Sequence, residues 1–175
     1  MTEASLAAGA RTARTTDSIP GGEMATAVPL FGLALLVFND AVIKTHWPGV
    51  VSGKLSDFGV VLYFPFLLTA TFALAAGVAH RLLALLPRAP QRPNRLTRRR
   101  LVVGMAVTTF SLSAVNLSTQ ARDAYLVLLD HLDALRLMPK KGYTVDPTDL
   151  LGLTMLPVVW WWGHRLMRKG EGVRE

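Results

Sequence analysis

Apolar and polar positions follow one another along this chain in long blocks, not in a short alternation. Apolar runs occupy residues 24–43, 58–79, 101–118 and 147–163, and the polar residues gather between them. At about 1.5 Å of rise per residue, runs of about 17–25 residues match the roughly 30 Å hydrocarbon thickness of a bilayer. The pattern predicts an all-α fold: a four-transmembrane-helix bundle. Pro29 falls in the first turns of its run, where a missing N–H costs least, whereas Pro65 lies mid-run and predicts a kink. Between the third and fourth runs, Tyr125, Leu128, Leu129, Leu132 and Leu135 recur at helical spacing among Arg122, Asp123, Asp130, His131, Asp133 and Arg136. Residues this charged do not cross lipid, so they predict an additional amphipathic helix over 121–138 on the outer face.

The ends of the runs carry local signals. Asp146-Pro147-Thr148-Asp149 has the grammar of a helix N-terminus: a capping acid, proline at the first position, an acid at the third. Trp47-Pro48-Gly49 predicts a break after the first run, with Trp47 at the membrane interface, and Trp160-Trp161-Trp162 mark the far interface. Residues 1–23 are small and polar, end in Pro20-Gly21-Gly22, and predict a disordered tail. No small-x-small cleavage site follows the first run, so that run reads as an uncleaved span.

Charge supplies an orientation. The 175 residues are 51% hydrophobic and carry a net charge of +7, with no cysteine. The segment 80–100 holds Arg81, Arg88, Arg92, Arg95, Arg98, Arg99 and Arg100 and no acid. A connector this basic is retained in the cytoplasm. Four spans then put both tails, 1–23 and 168–175, in the cytoplasm, and the chain is a multi-pass protein of the cell membrane with one membrane domain over 24–167. The segments 39–57 and 119–148 share the outer face. No nucleic-acid-binding pattern accompanies the basic residues, so no nucleic acid partner is expected. The lipid bilayer is the implied partner, with a membrane-protein partner or a lipid-linked phosphate ligand as further partners.

The chemistry-bearing residues collect on that outer rim. Asn39 to Asp57 joins the first two runs and holds Asn39, Asp40, Lys44, His46, Lys54 and Asp57. Asp57, Asp146 and Asp149 stand where helices should begin, and capping alone, worth about 0.3–1 kcal/mol, would account for them. Asp40 is harder to place, because it sits near a helix C-terminus where the dipole opposes it. It is expected to face the bundle with Asn39, Asn116 or Lys54 as a polar partner, although Lys44 stands four residues on. Thr109, Ser113, Asn116 and Gln120 are spaced to share one helix face and should point into the bundle. The Gly-Lys-Leu-Ser-Asp run lacks the spacing of a P-loop, and no metal-ligand spacing joins the acids to His46 or His131. No metal and no cofactor is expected.

The combination Asn39-Asp40…Lys44…Gly53-Lys54-Leu55-Ser56-Asp57 with Asp146-Pro147-Thr148-Asp149-Leu150-Leu151 resembles a family of uncharacterised small bacterial membrane proteins. Lys54, Asp57, Asp146 and Asp149 also resemble the positions of VanZ-like proteins, small four-span proteins linked to glycopeptide-antibiotic tolerance. The chain departs from that second pattern in lacking a histidine soon after the lysine and in carrying Leu153 where an asparagine is usual. The first resemblance implies no known activity, and the chain is expected to be a non-enzymatic envelope, tolerance or partner protein with a polar cluster at the extracytoplasmic rim. An alternative function is an enzyme acting on a lipid or lipid-linked phosphate at the outer leaflet. Asp40, Asp57 and Asp149 would then be its catalytic acids, and Lys44, Lys54, Asn39 and Asn116 its substrate-binding groups.

Overall fold

In a computed structural model of the chain, the described residues are 21–47, 49–83, 96–132 and 145–171. The expected tail as far as residue 20, the connector 84–95, residues 133–138 of the expected amphipathic helix and residues 172–175 lie outside them. Every regular element among the described residues is helical. The last residues of the expected tail, Gly21 to Glu23, enter a 3-10 turn at Gly22–Ala25 in which Glu23 is buried.

Helix α1 spans Ala27–His46, α2 Val50–Leu83, α3 Arg98–Leu117 and α4 Thr119–Leu132; a 3-10 segment, Pro147–Met155, leads into α5, Leu156–Glu171. Helices α1, α2 and α3 contain stretches long and apolar enough to cross a membrane: Ala27–His46, Val51–Ala79 and Arg98–Leu117. The boundaries explain themselves locally. Thr97 caps α3 by accepting from the Arg100 N–H, and Ser118 is extended, which ends it. Gln120 therefore sits on a different helix from Thr109, Ser113 and Asn116, and the expected four-residue stripe stops at three. Pro65 lies inside an unbroken α2, where it leaves the Val61 carbonyl without its helical donor.

Helix α2 is the axis of the molecule. Its 34 residues extend about 51 Å, and α1, α3, the 3-10 segment and α5 all pack on it. Val61, Leu62 and Phe66 of α2 are buried with Leu101 of α3 and Val159 of α5. Helix α1 comes in close because two glycines face each other. A Cβ on Gly32 would stand 3.0 Å from the Gly59 carbonyl oxygen, and one on Gly59 would stand 3.0 Å from that of Gly32. Small residues at such contacts let helix backbones approach where lipid gives no hydrophobic drive. The outward faces are apolar: Phe31, Val37 and Phe38 on α1, Phe72 and Leu74 on α2, and Phe110 on α3, which is 76% exposed. Large apolar side chains thus stand outside as well as within, more exposed apolar surface than water favours.

Candidate functional site

The polar groups expected at the outer rim come together where α1, α2 and the 3-10 segment meet. The first contributor is a change of winding. From Asn39 to Ile43, α1 widens to a π-helical turn, with the Lys44 N–H reaching the Asn39 carbonyl five residues back. Single turns of this kind re-aim side chains and are frequent at functional positions. Here the turn carries Asn39 into the interior, fully buried. Its Nδ2 donates to the Ser52 carbonyl at 2.6 Å and to Ser56 Oγ at 2.7 Å, tying α1 to α2. Its Oδ1 is buried without a partner.

The second contributor is α2 itself. It begins at Val50, so Lys54, Ser56 and Asp57 stand on helix and not in a connecting loop. Asp57 is the eighth residue of α2 and cannot cap it, so the expectation that capping explains Asp57 is corrected. Ser52 does the local work instead, with its Oγ donating to the Gly49 carbonyl and accepting from the Gly49 N–H.

The third contributor is the 3-10 segment. Asp146 caps it as expected: its Oδ1 accepts from the Thr148 N–H at 2.9 Å and from Thr148 Oγ1 at 2.7 Å, with Pro147 in the first turn. The Asp146 carboxyl is held below its ordinary range, first by the Thr148 hydroxyl, then by the Thr148 backbone N–H, with Lys54 adding to both. Gly152 lets the segment lie flat on α2, because a Cβ there would stand 3.0 Å from the Asp57 carbonyl oxygen and 3.1 Å from Asp57 Cβ.

Where the three meet, Lys54 Nζ donates to Asp149 Oδ1, to Thr148 Oγ1 and, at 3.3 Å, to Asp146 Oδ2. The lysine side chain is 15% exposed. The Asp57 carboxyl adjoins that of Asp149, and its Oδ2 is buried without a hydrogen-bond partner. One ammonium thus faces three carboxyls. Beside this group, Lys44 pairs with Asp40 at 2.6 Å, and Ser56 Oγ reaches Asp40 at 3.4 Å.

The structure brings Lys54, Asp57 and Asp149 together and sets Asn39 next to them through Ser52 and Ser56. It corrects the expectation for Asp40. That side chain is 60% exposed, does not face the bundle, and takes Lys44 as its partner, because the i,i+4 spacing along α1 is satisfied before any interhelical contact. Asn116 is buried but turns its amide onto the Leu112 carbonyl of its own helix, and Thr109 likewise donates to Met105. Hydroxyls and amides four residues from a carbonyl satisfy themselves locally, without lining a cavity. His46 is exposed beside Trp47, and His131 Nδ1 lies 2.7 Å from the Val127 carbonyl. Among the described residues no three histidine, aspartate or glutamate side chains are grouped to hold a metal ion. Sequence reasoning passed over Ser52, Ser56 and Thr148. Thr148 alone carried a signal, standing between two acids at a helix start.

No family model, curated protein or solved structure matches the chain.

Proposed function

We propose that the chain is a four-span integral membrane protein of the cell envelope that acts without catalysis, as a membrane partner or tolerance factor. In this reading the Lys54 cluster locks the second span to the fourth. The fourth span is residues 147–163. Its outer half is wound as a 3-10 helix of nine residues, which at about 2.0 Å per residue covers about 18 Å. The α-helical remainder, from Leu156 to Gly163, adds about 12 Å, so the whole approaches the roughly 30 Å of the hydrocarbon layer. Tighter winding lets a short segment cross. Both termini and the arginine-rich connector are cytoplasmic. Helix α4 lies at the outer interface, with exposed Val127 and Leu128 toward lipid.

The observation that carries the non-catalytic reading is the engagement of both lysines. An enzyme acting on a lipid-linked phosphate needs cations free to hold phosphate oxygens. Lys54 is surrounded by two carboxylates and a hydroxyl, and Lys44 is neutralised by Asp40. Carboxyls outnumber lysines at this rim, so the local field repels phosphate.

Lys54→Met against the double variant Lys54→Met/Asp149→Leu tests this. Removing one partner of an occluded pair costs about 3–5 kcal/mol when burial is complete; here about 2 kcal/mol is expected, because Asp146 is half exposed. The double variant, apolar at both positions, should recover most of it, as such replacements often do. Melting in detergent and accumulation in the membrane fraction are the readouts. A single variant that melts and accumulates like the parent sinks the lock.

A further inference from the structure

The other end of the bundle carries a second polar feature, of opposite chemistry. Helix α5 leaves the Lys54 cluster, where Gly152 lies on Asp57, and reaches the start of α3, where a Cβ on Gly163 would meet the Leu101 side chain. There a surface cleft of about 670 Å³ opens between Trp160, Trp161, His164, Arg165, Arg168 and Lys169. Among the described side chains no carboxylate lines it. Arg165 holds its guanidinium 5.6 Å from the Trp161 ring and 5.7 Å from the Trp162 ring. From α3, Arg98 stacks on Trp160 at 5.4 Å. No ion pair among the described residues uses Arg98, Arg165, Arg168 or Lys169. His164, edge-on to Trp160, keeps its Nδ1 buried without a partner.

Cations in the last turn of a helix complement its dipole, and that accounts for Arg168 and Lys169. It does not account for the stacked pair. An arginine laid on an indole face is fixed in the plane where its N–H edge stays available for a bidentate acceptor, and phosphate fits that fork. The N-terminus of α3, capped by Thr97, begins at the same end and adds positive potential. Tryptophans at this depth sit among lipid headgroups. The cleft therefore presents cations and indole walls, with the His164 ring among them, at the level where lipid phosphates lie.

We propose that this cleft binds the phosphate of an anionic lipid headgroup, gripped by Arg165 and Arg168 with Arg98 and His164 at its side. The inference rests on the chain lying in a bilayer and is independent of whether the Lys54 cluster is catalytic.

The test uses the full chain in phosphatidylcholine bilayers, in a Trp47→Phe background. Of the remaining three of its four tryptophans, Trp160 and Trp161 then line the cleft, and Trp162, bonded to Thr26, stands beside it under Arg165. Emission is titrated with phosphatidylglycerol or phosphatidylcholine brominated near the headgroup end of the chains. Brominated phosphatidylglycerol should quench at the lower mole fraction. Arg165→Gln should weaken that preference about fivefold, the scale of one surface cation on an anionic lipid. Where that variant fails to accumulate, exposed Arg168→Gln serves in its place. Arg122→Gln, at the opposite end, should leave the preference intact. Four results overturn the proposal: equal quenching by both lipids, an undiminished preference in the Arg165 or Arg168 variant, the same fall in Arg122→Gln, or displacement of the lipid by inorganic phosphate at equal phosphate concentration.

Discussion

The two ends of this bundle handle charge in opposite ways. At the end where α1 meets α2, Lys54 and Lys44 are met by Asp146, Asp149 and Asp40. At the other end, Arg98 and Arg165 lie on indole faces with no carboxylate in reach among the described residues. The first arrangement uses its charges on itself: the Lys54 bonds join α2 to the 3-10 segment, the Lys44 pair closes within α1, and what the Lys54 bonds gain is a fixed geometry. The second leaves its charges open, so what it gains comes from something outside the chain. Charged side chains near a bilayer are therefore not one class. Whether their partners lie within the protein separates a group that builds the fold from one that faces a ligand.

The widest separation between the ends is expected from truncating one polar group at each. Asn39→Ala removes two hydrogen bonds from a fully buried side chain, takes from Ser56 Oγ its donor, and opens a small cavity. It should cost about 2 kcal/mol. Arg165→Ala removes an exposed cation–π contact and should cost about 0.5 kcal/mol. Denaturant unfolding in micelles compares them directly. Equal losses would mean that the basic end is also structural, and the contrast would dissolve.

A smaller effect should appear only in acid. Thr148 holds the Asp146 carboxyl below its ordinary value. A carboxyl depressed by folding stabilises the folded state above its unfolded value of about 3.9, and loses that contribution as pH falls through the lower folded value. Melting temperature should therefore fall below about pH 4 in the parent and less steeply in Asp146→Asn. Thr148→Val, which removes the largest cause of the depression, should shrink the slope in the same direction. An Asp146→Asn profile parallel to the parent's would show that folding does not hold the Asp146 carboxyl down and that the cap contributes nothing in acid.

Much of this was readable from residue order alone, and the failures have a common cause. The long apolar runs set the three candidate spans, and Asp146-Pro147-Thr148-Asp149 announced its helix start to the residue. Both are local signals, decided by hydropathy over about 20 positions or by capping within four. What was not readable was the beginning of α2. Ser52, Gly53, Lys54, Ser56 and Asp57 have the composition of a connector, yet they are helical because Asn39, Asp149 and Asp146 satisfy their polar groups from other elements. That compensation is tertiary and leaves no trace in the segment itself. The π-helical turn that buries Asn39 and exposes Asp40 is equally invisible, and it is why the burial expected of Asp40 fell one residue away. The cleft was partly visible: Trp161, Arg165 and Arg168 recur at helical spacing, but a reading confined to interface anchors and topology took each of them singly.

The smallest predicted effect is the sharpest test of the contrast within the outer rim. Lys44 and Lys54 are ten positions apart in one short segment, and each is paired with an aspartate. Lys44 is 30% exposed and its partner Asp40 60%, on the same helix one turn back; Lys54 is 15% exposed and its partners belong to a segment some 92 residues away. A solvated i,i+4 pair contributes about 0.2–0.5 kcal/mol and holds nothing that the helix does not already hold. Lys44→Gln should therefore change unfolding free energy by less than about 0.5 kcal/mol and leave accumulation unchanged, while Lys54→Met costs several times more. If the two lysines prove equivalent, being bonded across elements is not what makes Lys54 matter. The cluster would then be a set of solvated surface pairs and could not serve as the lock between α2 and the segment after Asp146.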